Sequence, residues 1–348
     1  MSRTNLIKSG GWAAAAAAAV AAPLVLANIY WTSVLTNIVI YVLLAVSLRT
    51  IFLIGEFSLG HVGFMCIGAY TSALLTMKTS LPAGLTIPGG GLMAGLVALG
   101  LGYPFMRVKG IYFVILTVVT SESVRLLAFN WRNLTGGHDG LVGIPAAGIL
   151  RLPGLGSVDF SGFNEYYYLA LTVVAVSLFI LNRLETSRLG FTWTAIRETS
   201  KQAEAVGINV LRYKVINFSL ACFFAGIGGA LLAHFEQIIS PQASSTFGVM
   251  TTIYLLIYMV VGGKARFTGP IGGAVLLSLV MELTRPMQEY QPLIIGAIAI
   301  VVVMFLPEGL VSLPEKIGAW WTKVPGPVSE AGGLDWTRKG SLDGPSRD

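Results

Sequence analysis

Long stretches of this sequence contain no charged residue, for example LALTVVAVSLFIL at 169–181 and VINFSLACFFAGIGGALLA at 215–233. Only 11% of the 348 residues are charged, whereas soluble domains carry about 25%. A chain with so few charges cannot cover a water-facing surface, so lipid must solvate much of it. Because a backbone in hydrocarbon must satisfy its own hydrogen bonds, the uncharged runs are predicted to be helices. The sequence predicts an all-α polytopic integral membrane protein.

The net charge of +6 does not indicate a nucleic-acid partner, because basic residues of membrane proteins concentrate in cytoplasmic loops. The two cysteines, Cys66 and Cys222, lie in apolar runs, and neither has ligand spacing to a second cysteine or histidine. We therefore expect no disulfide framework, no metal site and no cofactor bound by this chain.

Ten segments are apolar over nearly the length of about 20 residues that a membrane-spanning helix needs. The third segment contains Gly60, Gly63 and Gly68 and is expected to bend or break, and the ninth is short and glycine-rich. The expected number of spans is therefore about ten, with a range of eight to ten. The segments are 12–29, 34–54, 58–77, 85–106, 111–129, 166–182, 213–236, 248–262, 268–284 and 291–306.

The first of these segments permits two interpretations. MSRTNLIKSGGWAAAAAAAVAAPLVLA has the basic lead and small-residue run of a cleaved signal peptide. An uncleaved first helix is the simpler interpretation, since more spans follow. Residues 1–33 are assigned to this span and its linker, 34–313 to the transmembrane domain and 314–348 to a tail, which is polar, without periodicity and expected to be disordered.

The distribution of basic residues predicts the orientation. With ten spans and a cytoplasmic N-terminus, all but five of the 23 lysines and arginines fall on the cytoplasmic side, as the positive-inside rule requires. Both termini are therefore expected to be cytoplasmic. The five on or near the outer side are Lys78, Arg125, Arg132, Arg151 and Arg285.

Two loops between spans are long. Residues 130–165 are dense in glycine and proline and are expected to form an external segment of turns. Residues 183–212 form a cytoplasmic loop that contains the charged segment SRLGFTWTAIRETSKQAEAVGINVLRYK at 187–214.

The charged segment is helix-patterned. Mostly apolar or small residues recur at helical spacing on one face, and charged residues lie on or beside the other. Either the helix rests on lipid headgroups, or it docks into a groove of a soluble partner. The first face contains Trp193, Ile196, Ser200, Ala203 and Gly207; the second contains Arg197, Glu198, Lys201 and Glu204.

A family resemblance favours the docked helix. EAVGINV resembles the Glu-Ala-x-x-Gly coupling loop of ABC importer permeases, and AIRETSKQAEAVGINVLRYK with FSLACFFAGIGGALLA is similar to the high-affinity branched-chain amino acid permease family of the LivM type. Further matches occur in the family's order and together cover about residues 34–313. They are GEFSLGHVGFMCIGAYTSALL, RVKGIYFVILTVVTSESVRLL, TGGHDGLVGIP, ISPQASSTFGVMTTIYLLIYMVVGGKARFTGPIGGAVLL and FLPEGLVSL.

The resemblance implies a permease subunit of an ABC importer in the bacterial inner membrane, translocating branched-chain or related small amino acids. It implies a second permease subunit, two cytoplasmic ATPase subunits that use ATP and Mg²⁺, and an extracytoplasmic substrate-binding protein. The implied ATPase contact is a coupling helix over 193–207, although the acidic neighbour that the family usually places beside Glu198 is missing. Its residues are Trp193, Ile196, Arg197, Glu198, Ala203, Glu204, Ala205 and Gly207.

Other cargoes and another class of transporter stay open. Related permeases carry urea or short amides, and the composition of the spans does not distinguish these from an aliphatic amino acid. An ion-coupled secondary transporter would need an unpaired buried acid.

The sequence has no ATP-binding loop, since GGKA at 262–265 lacks the P-loop spacing and its Ser or Thr. We therefore expect a transport subunit, not an enzyme.

Ionisable residues within or beside spans are candidates for the substrate pathway or its gate. Two Glu-x-x-Arg pairs, Glu122 with Arg125 and Glu282 with Arg285, can instead neutralise each other's charge on one helical face. Glu56 with Ser58 can cap the third span. His61 is a candidate in the glycine-rich third span, and His138 with Asp139 in the external TGGHDG turn. The full set is Glu56, Ser58, His61, Glu122, Arg125, His138, Asp139, Glu282 and Arg285.

Overall fold

A computed structural model describes residues 19–23, 28–152, 156–160, 162–242, 246–306 and 308–312. Most of the predicted first span and the whole predicted tail lie outside these residues. The long helices are α1 (Ile29–Phe52), α2 (His61–Thr79), α3 (Ala83–Phe105), α4 (Ile111–Asn130), α5 (Phe163–Glu185) and α8 (Val210–Glu236). The shorter helices are α6 (Arg188–Glu198), α7 (Ser200–Ala205), α9 (Val249–Gly262), α10 (Thr268–Leu283) and α11 (Gln291–Phe305).

The helix ends follow from local sequence. Asn28 caps α1, because its side-chain oxygen accepts a hydrogen bond of 3.0 Å from the amide of Tyr30. Helices α2 and α8 end at residues with left-handed backbone, Ser80 and Gln237, whose amides bond back to carbonyls of the last turn.

Helices α1 and α8 form the centre of the bundle. In the most apolar stretch of each, 78% of the residues are buried, compared with 28% in α4. Helix α8 packs against α1, α2 and α3, and α1 also packs against α5, α9 and α10. The outer helices expose large apolar side chains such as Leu96, Tyr112 and Phe179. Such a surface is suited to contact with lipid tails, and the chain is an integral membrane protein.

Glycines allow α2, α3 and α8 to approach closely. A Cβ atom at Gly68 would lie 2.2 Å from the carbonyl oxygen of Gly226, and one at Gly90 would lie 2.5 Å from that of Gly68. A Cβ at Gly229 would lie 2.0 Å from the carbonyl oxygen of Met65. Lipid gives no hydrophobic drive between helices, so this contact of backbones stabilises the bundle through van der Waals packing.

The connection between α4 and α5 contains more than the predicted turns. Strand β1 (Leu141–Val142) pairs antiparallel with β4 (Ile238–Ile239), which follows α8. Strands β2 (Ile149–Leu152) and β3 (Gly156–Asp159) pair antiparallel with each other. Backbone pairing therefore ties this connection to the end of α8.

The helical class is confirmed, but the number of spans is not. Five described helices, α1, α3, α4, α5 and α8, are long and apolar enough to cross a membrane. Helices α9, α10 and α11 are apolar but only 14, 16 and 15 residues long. The predicted break in the third segment precedes the helix: residues 56–60 are not helical, and α2 runs unbroken from His61.

Replacing Gly226 with leucine should destabilise the bundle, because a Cβ there would lie 2.6 Å from the Cβ of Ala94 and 2.9 Å from the Gly90 carbonyl oxygen. Overpacking of this kind costs about 1–3 kcal/mol or more. The melting temperature of the detergent-solubilised protein measures the loss. Gly100→Leu is the matched control, since no atom lies within 4 Å of its Cβ position. Equal melting temperatures for the two variants would contradict the role of the glycine contact.

Candidate functional site

The charged segment folds as an insert, residues 186–209, between α5 and α8. Ser187 caps α6 by accepting a hydrogen bond of 3.2 Å from the amide of Leu189. Extended backbone at Thr199 separates α6 from α7. Gly207, with φ +84°, ends α7 in the left-handed region, and Asn209 caps α8 through the amide of Arg212 at 3.0 Å. The predicted single helix is therefore two short helices with a break at Thr199.

The apolar face of the insert is buried in this chain. Trp193 is 0% exposed and belongs to the main hydrophobic core, while Ile196 and Ala203 pack with Val210 in a small adjoining cluster. This corrects the expectation that the face is offered to a partner. Helices α6 and α7 are too short to be stable alone, and the bundle itself covers their apolar side.

The opposite face of the insert is exposed and mixed in character. Phe191 is 71% exposed and Val206 is 77% exposed. The residues assigned to the ATPase contact are therefore only partly accessible. Arg197 is half-buried and pairs with Glu198 at 2.9 Å. The exposed members are Glu198, Glu204, Ala205 and Gly207.

Two ion pairs with buried cations lie where the insert meets the bundle. The Arg49 guanidinium, near the end of α1, binds the Glu185 carboxylate at 2.7 and 2.9 Å. It also donates to the carbonyl oxygens of Lys264 and Ala265, at 2.9 and 3.2 Å. In the sequence, Arg49 lies within the predicted span 34–54 and is counted only among the cytoplasmic basic residues. The available signal was its position directly after the uncharged run of α1.

The second pair corrects the role of Glu56. Its carboxylate accepts a hydrogen bond of 2.7 Å from the Lys214 ammonium of α8, and both side chains are buried. Glu56 does not cap α2, which begins after Gly60 without a side-chain cap. Ser58 is buried and accepts from the Gly60 amide at 3.2 Å. The capping prediction failed because Lys214, far away in sequence, offers the carboxylate a charged partner.

His61 lies inside the bundle at the start of α2. Its Nε2 is 2.8 Å from the Ser47 hydroxyl of α1. Its Nδ1 is buried and has no hydrogen-bond partner among the described residues. Asn217, on α8, donates to the Thr50 carbonyl at 3.0 Å. Polar contacts therefore join α1, α2 and α8 at the end of the bundle that carries the insert.

At the opposite end, the structure forms both predicted Glu-x-x-Arg pairs. Glu122 accepts from the Arg125 Nε at 3.0 and 3.1 Å. Arg125 also donates to the carbonyl oxygen of Pro241 at 2.6 Å, a contact that the i, i+3 spacing does not reveal. Arg285 lies 3.2 Å from Glu282, which also accepts from the Tyr30 hydroxyl.

In the TGGHDG turn, His138 and Asp139 are exposed, whereas Thr135 and Gly137 are buried. His138 and Asp139 lie 3.5 Å from each other on a short 3₁₀ turn, and the His138 ring contacts Phe129 with centroids 5.3 Å apart. No group of three or more His, Cys, Asp or Glu side chains in the described ranges is arranged to hold a metal ion.

His234, which no sequence motif singles out, joins four elements. Its Nε2 lies 3.0 Å from the Ser72 hydroxyl of α2 and 3.3 Å from that of Thr86 on α3. Its Nδ1 lies 3.0 Å from the Pro145 carbonyl in the connection between α4 and α5. A lone histidine in an apolar helix gives no sign in sequence of three such distant partners.

These features define a class: a helical integral membrane protein with an amphipathic insert anchored at one end of its bundle. The sequence model of the family described as branched-chain amino acid transport system / permease component matches residues 30–303. The chain belongs to this family.

Individual relatives agree with the family match. The chain is 31% identical over 296 residues to the high-affinity branched-chain amino acid transport system permease protein LivM of Escherichia coli, covering 80% of this chain and 69% of the relative. It is 23% identical over 298 residues to LivH of the same organism, covering 79% and 92%. It is 25% identical over 238 residues to the guanosine ABC transporter permease protein NupQ of Bacillus subtilis, covering 66% and 73%. No solved structure matches the chain significantly.

Replacing Trp193 with alanine should lower stability by about 3–5 kcal/mol, the usual cost of removing a fully buried aromatic side chain. Phe191→Ala, two residues earlier on the exposed face, should change stability little, since that side chain is 71% exposed. Thermal unfolding of both purified variants gives the comparison. A stable Trp193→Ala protein would mean that the insert is not anchored through this residue.

Exchanging the charges of Glu122 and Arg125 should not restore stability, because only a donor at position 125 can bond the Pro241 carbonyl. We expect the double variant Glu122→Arg, Arg125→Glu to melt as low as Arg125→Glu alone. Glu122→Gln, which keeps the Pro241 contact, should be milder. Full recovery in the double variant would show that the ion pair is the whole role of Arg125.

Proposed function

We propose that this chain is a transmembrane permease subunit of an ABC importer that moves branched-chain or related small amino acids across the bacterial cytoplasmic membrane. The family and the relatives named LivM and LivH support this function. Separate ATPase subunits would supply the energy, a second permease subunit would complete the transmembrane part, and an extracytoplasmic binding protein would deliver the cargo.

The observation that carries the proposal is the two-sided insert. Trp193 anchors it in the core and Ile196 packs in a small cluster with Val210 of α8, while Phe191, Val206 and Glu204 stay exposed on the other side. An element anchored in the bundle and open on its outer face suits a soluble partner whose movement must reach the spans. In the proposed complex this outer face binds the ATPase, and the insert moves as a rigid body.

The GGKA sequence lies in a turn that contacts the end of α1. Gly263, with φ +114°, and Lys264 form the turn between α9 and α10. The Lys264 carbonyl accepts from Arg49, and its ammonium lies 5.1 Å from the centre of the Phe52 ring. Lys264 is therefore used for contacts with α1 within this chain.

Charge placement supports a cytoplasmic location for the end of the bundle that carries the insert. Arg107 and Lys109 follow α3 at that end, and Lys264 and Arg266 lie between α9 and α10. Helices α1–α5 and α8–α11, with one earlier span, would give ten crossings with both termini in the cytoplasm.

The cargo proposal depends on the relatives. LivM and LivH are named for branched-chain amino acids, and NupQ for guanosine. The test is ATPase activity of the co-purified complex in proteoliposomes, with binding proteins loaded with leucine, urea, a short amide or guanosine. We expect that, of these loaded binding proteins, only the one that carries leucine stimulates the ATPase activity. Uptake by this chain alone, without ATPase subunits, would overturn the proposed class.

Val206→Asp should reduce ATPase co-purification without changing the melting temperature, because the side chain is 77% exposed and a charge there disturbs only an intermolecular contact. The loss expected from a charge in a desolvated contact is at least about tenfold in affinity, or 1.4 kcal/mol. Val206→Leu keeps the apolar contact and serves as control. Normal recovery of the ATPase subunits with Val206→Asp would place the docking surface elsewhere.

A further inference from the structure

The two ion pairs described above both attach to one short stretch of the chain. Glu185 ends α5, immediately before the insert, and Lys214 lies in the first turns of α8, immediately after it. Their partners, Arg49 and Glu56, are seven positions apart in one stretch of chain. That stretch, residues 49–56, contains the last residues of α1 and the turn that follows, and we refer to it as the 49–56 segment.

The insert also touches the middle of the 49–56 segment. Gly55 has φ +80°, and a Cβ atom there would lie 3.2 Å from the Arg197 Cγ of α6. The Arg197 guanidinium lies over the ring of Phe52, 5.9 Å from its centre. The segment is therefore contacted by the residue before the insert, by the insert itself and by the residue that follows in α8.

Three of the four charged side chains in these pairs are buried, and the fourth, that of Glu185, is 24% exposed. The side chains of Lys214 and Glu56 are 7% and 9% exposed, and that of Arg49 is 1% exposed. Arg49 is further fixed by two carbonyl groups of the turn between α9 and α10. Salt screens a buried or partly buried pair much less than a surface pair, so both pairs retain their attraction at cellular ionic strength.

The covalent connections of the insert are less constraining. Thr186 and Ser187 join it to α5, and residues 206–209 join it to α8 through Gly207. Each connection leaves helical geometry, and Thr199 interrupts the insert between α6 and α7. A push on the exposed face of the insert therefore reaches the spans through non-covalent contacts, namely the buried Trp193 side chain and the contacts of Arg197 with the 49–56 segment.

We propose that Glu56–Lys214 and Arg49–Glu185 are positioning pairs. When the insert moves, it displaces the 49–56 segment, and the two pairs transmit this displacement to α1 and α8. This inference rests on the proposed function, and it identifies residues outside the coupling helix for that same activity. The pairs act through position: none of the four side chains touches cargo or nucleotide in this role.

The test uses the complete importer, reconstituted with its partner permease, ATPase subunits and binding protein. The measured quantity is the number of ATP molecules hydrolysed per molecule of cargo taken up. The double variant Glu56→Gln, Lys214→Met removes both charges and leaves no uncompensated buried ion. We expect its ratio to rise about fivefold or more, the lower end of typical coupling effects, with ATPase activity and subunit assembly retained.

Charge reversal tests the pair directly. In Glu56→Lys, Lys214→Glu the ion pair can form again, and we expect the ratio to return toward that of the unmodified protein, while each single reversal stays uncoupled. Glu185→Gln should also raise the ratio. Arg107→Gln is the control, because this exposed arginine near the same end contacts only Tyr103 of its own helix terminus in the described structure, and its ratio should not change.

The possible outcomes separate the two proposals. A lower melting temperature and less assembled complex, with an unchanged ratio, would overturn the coupling role and leave the pairs as stability contacts. An unchanged ratio in a stable double variant would overturn it as well. If the unmodified chain gives no ATP-driven uptake with any partner set, the proposed function itself fails, whatever the variants do.

Discussion

A charge in a bundle that lipid solvates has to be neutralised by a partner, and this constraint sets the arrangement of the whole protein. Leaving one buried ion without its counterion costs about 3–5 kcal/mol. The buried charges therefore connect different helices. Arg49 connects α1 to α5 and to the turn after α9, and Lys214 connects α8 to the turn after α1. Arg125 connects α4 to the chain after α8. Few charges are present, and each of these connects distant parts of the chain.

Between these charged contacts, the packing of the helices depends on small residues. The backbones of α2 and α8 approach closely at Gly68 and Gly226, where any side chain would collide with a carbonyl group. The outer helices carry their large apolar side chains on the lipid side. The bundle is thus held by close backbone contact inside and by lipid solvation outside, and its polar contacts are concentrated at the two ends.

The insert shows how this architecture serves the proposed transport. Its apolar residues Trp193 and Ile196 are used for anchoring, so the surface left for a partner is the side with Val206 and Glu204. Helical periodicity predicted correctly that the segment has two faces. It could not predict which face the chain itself covers, because burial depends on helices that are distant in sequence. The prediction for Glu56 failed for the same reason, since capping is a local effect and Lys214 lies 158 positions away.

The sequence by itself determined the class: uncharged runs require lipid and helices, the order of motifs indicates the family, and each Glu-x-x-Arg spacing specifies an ion pair within one turn. These properties depend on composition and on neighbours three or four residues apart. Only the tertiary structure decided which ends of which helices meet, that Arg49 and Glu56 receive the two ends of the insert, and that His234 connects α2, α3 and α8 to the loop at Pro145. Such contacts depend on how whole helices pack, and no local pattern encodes them.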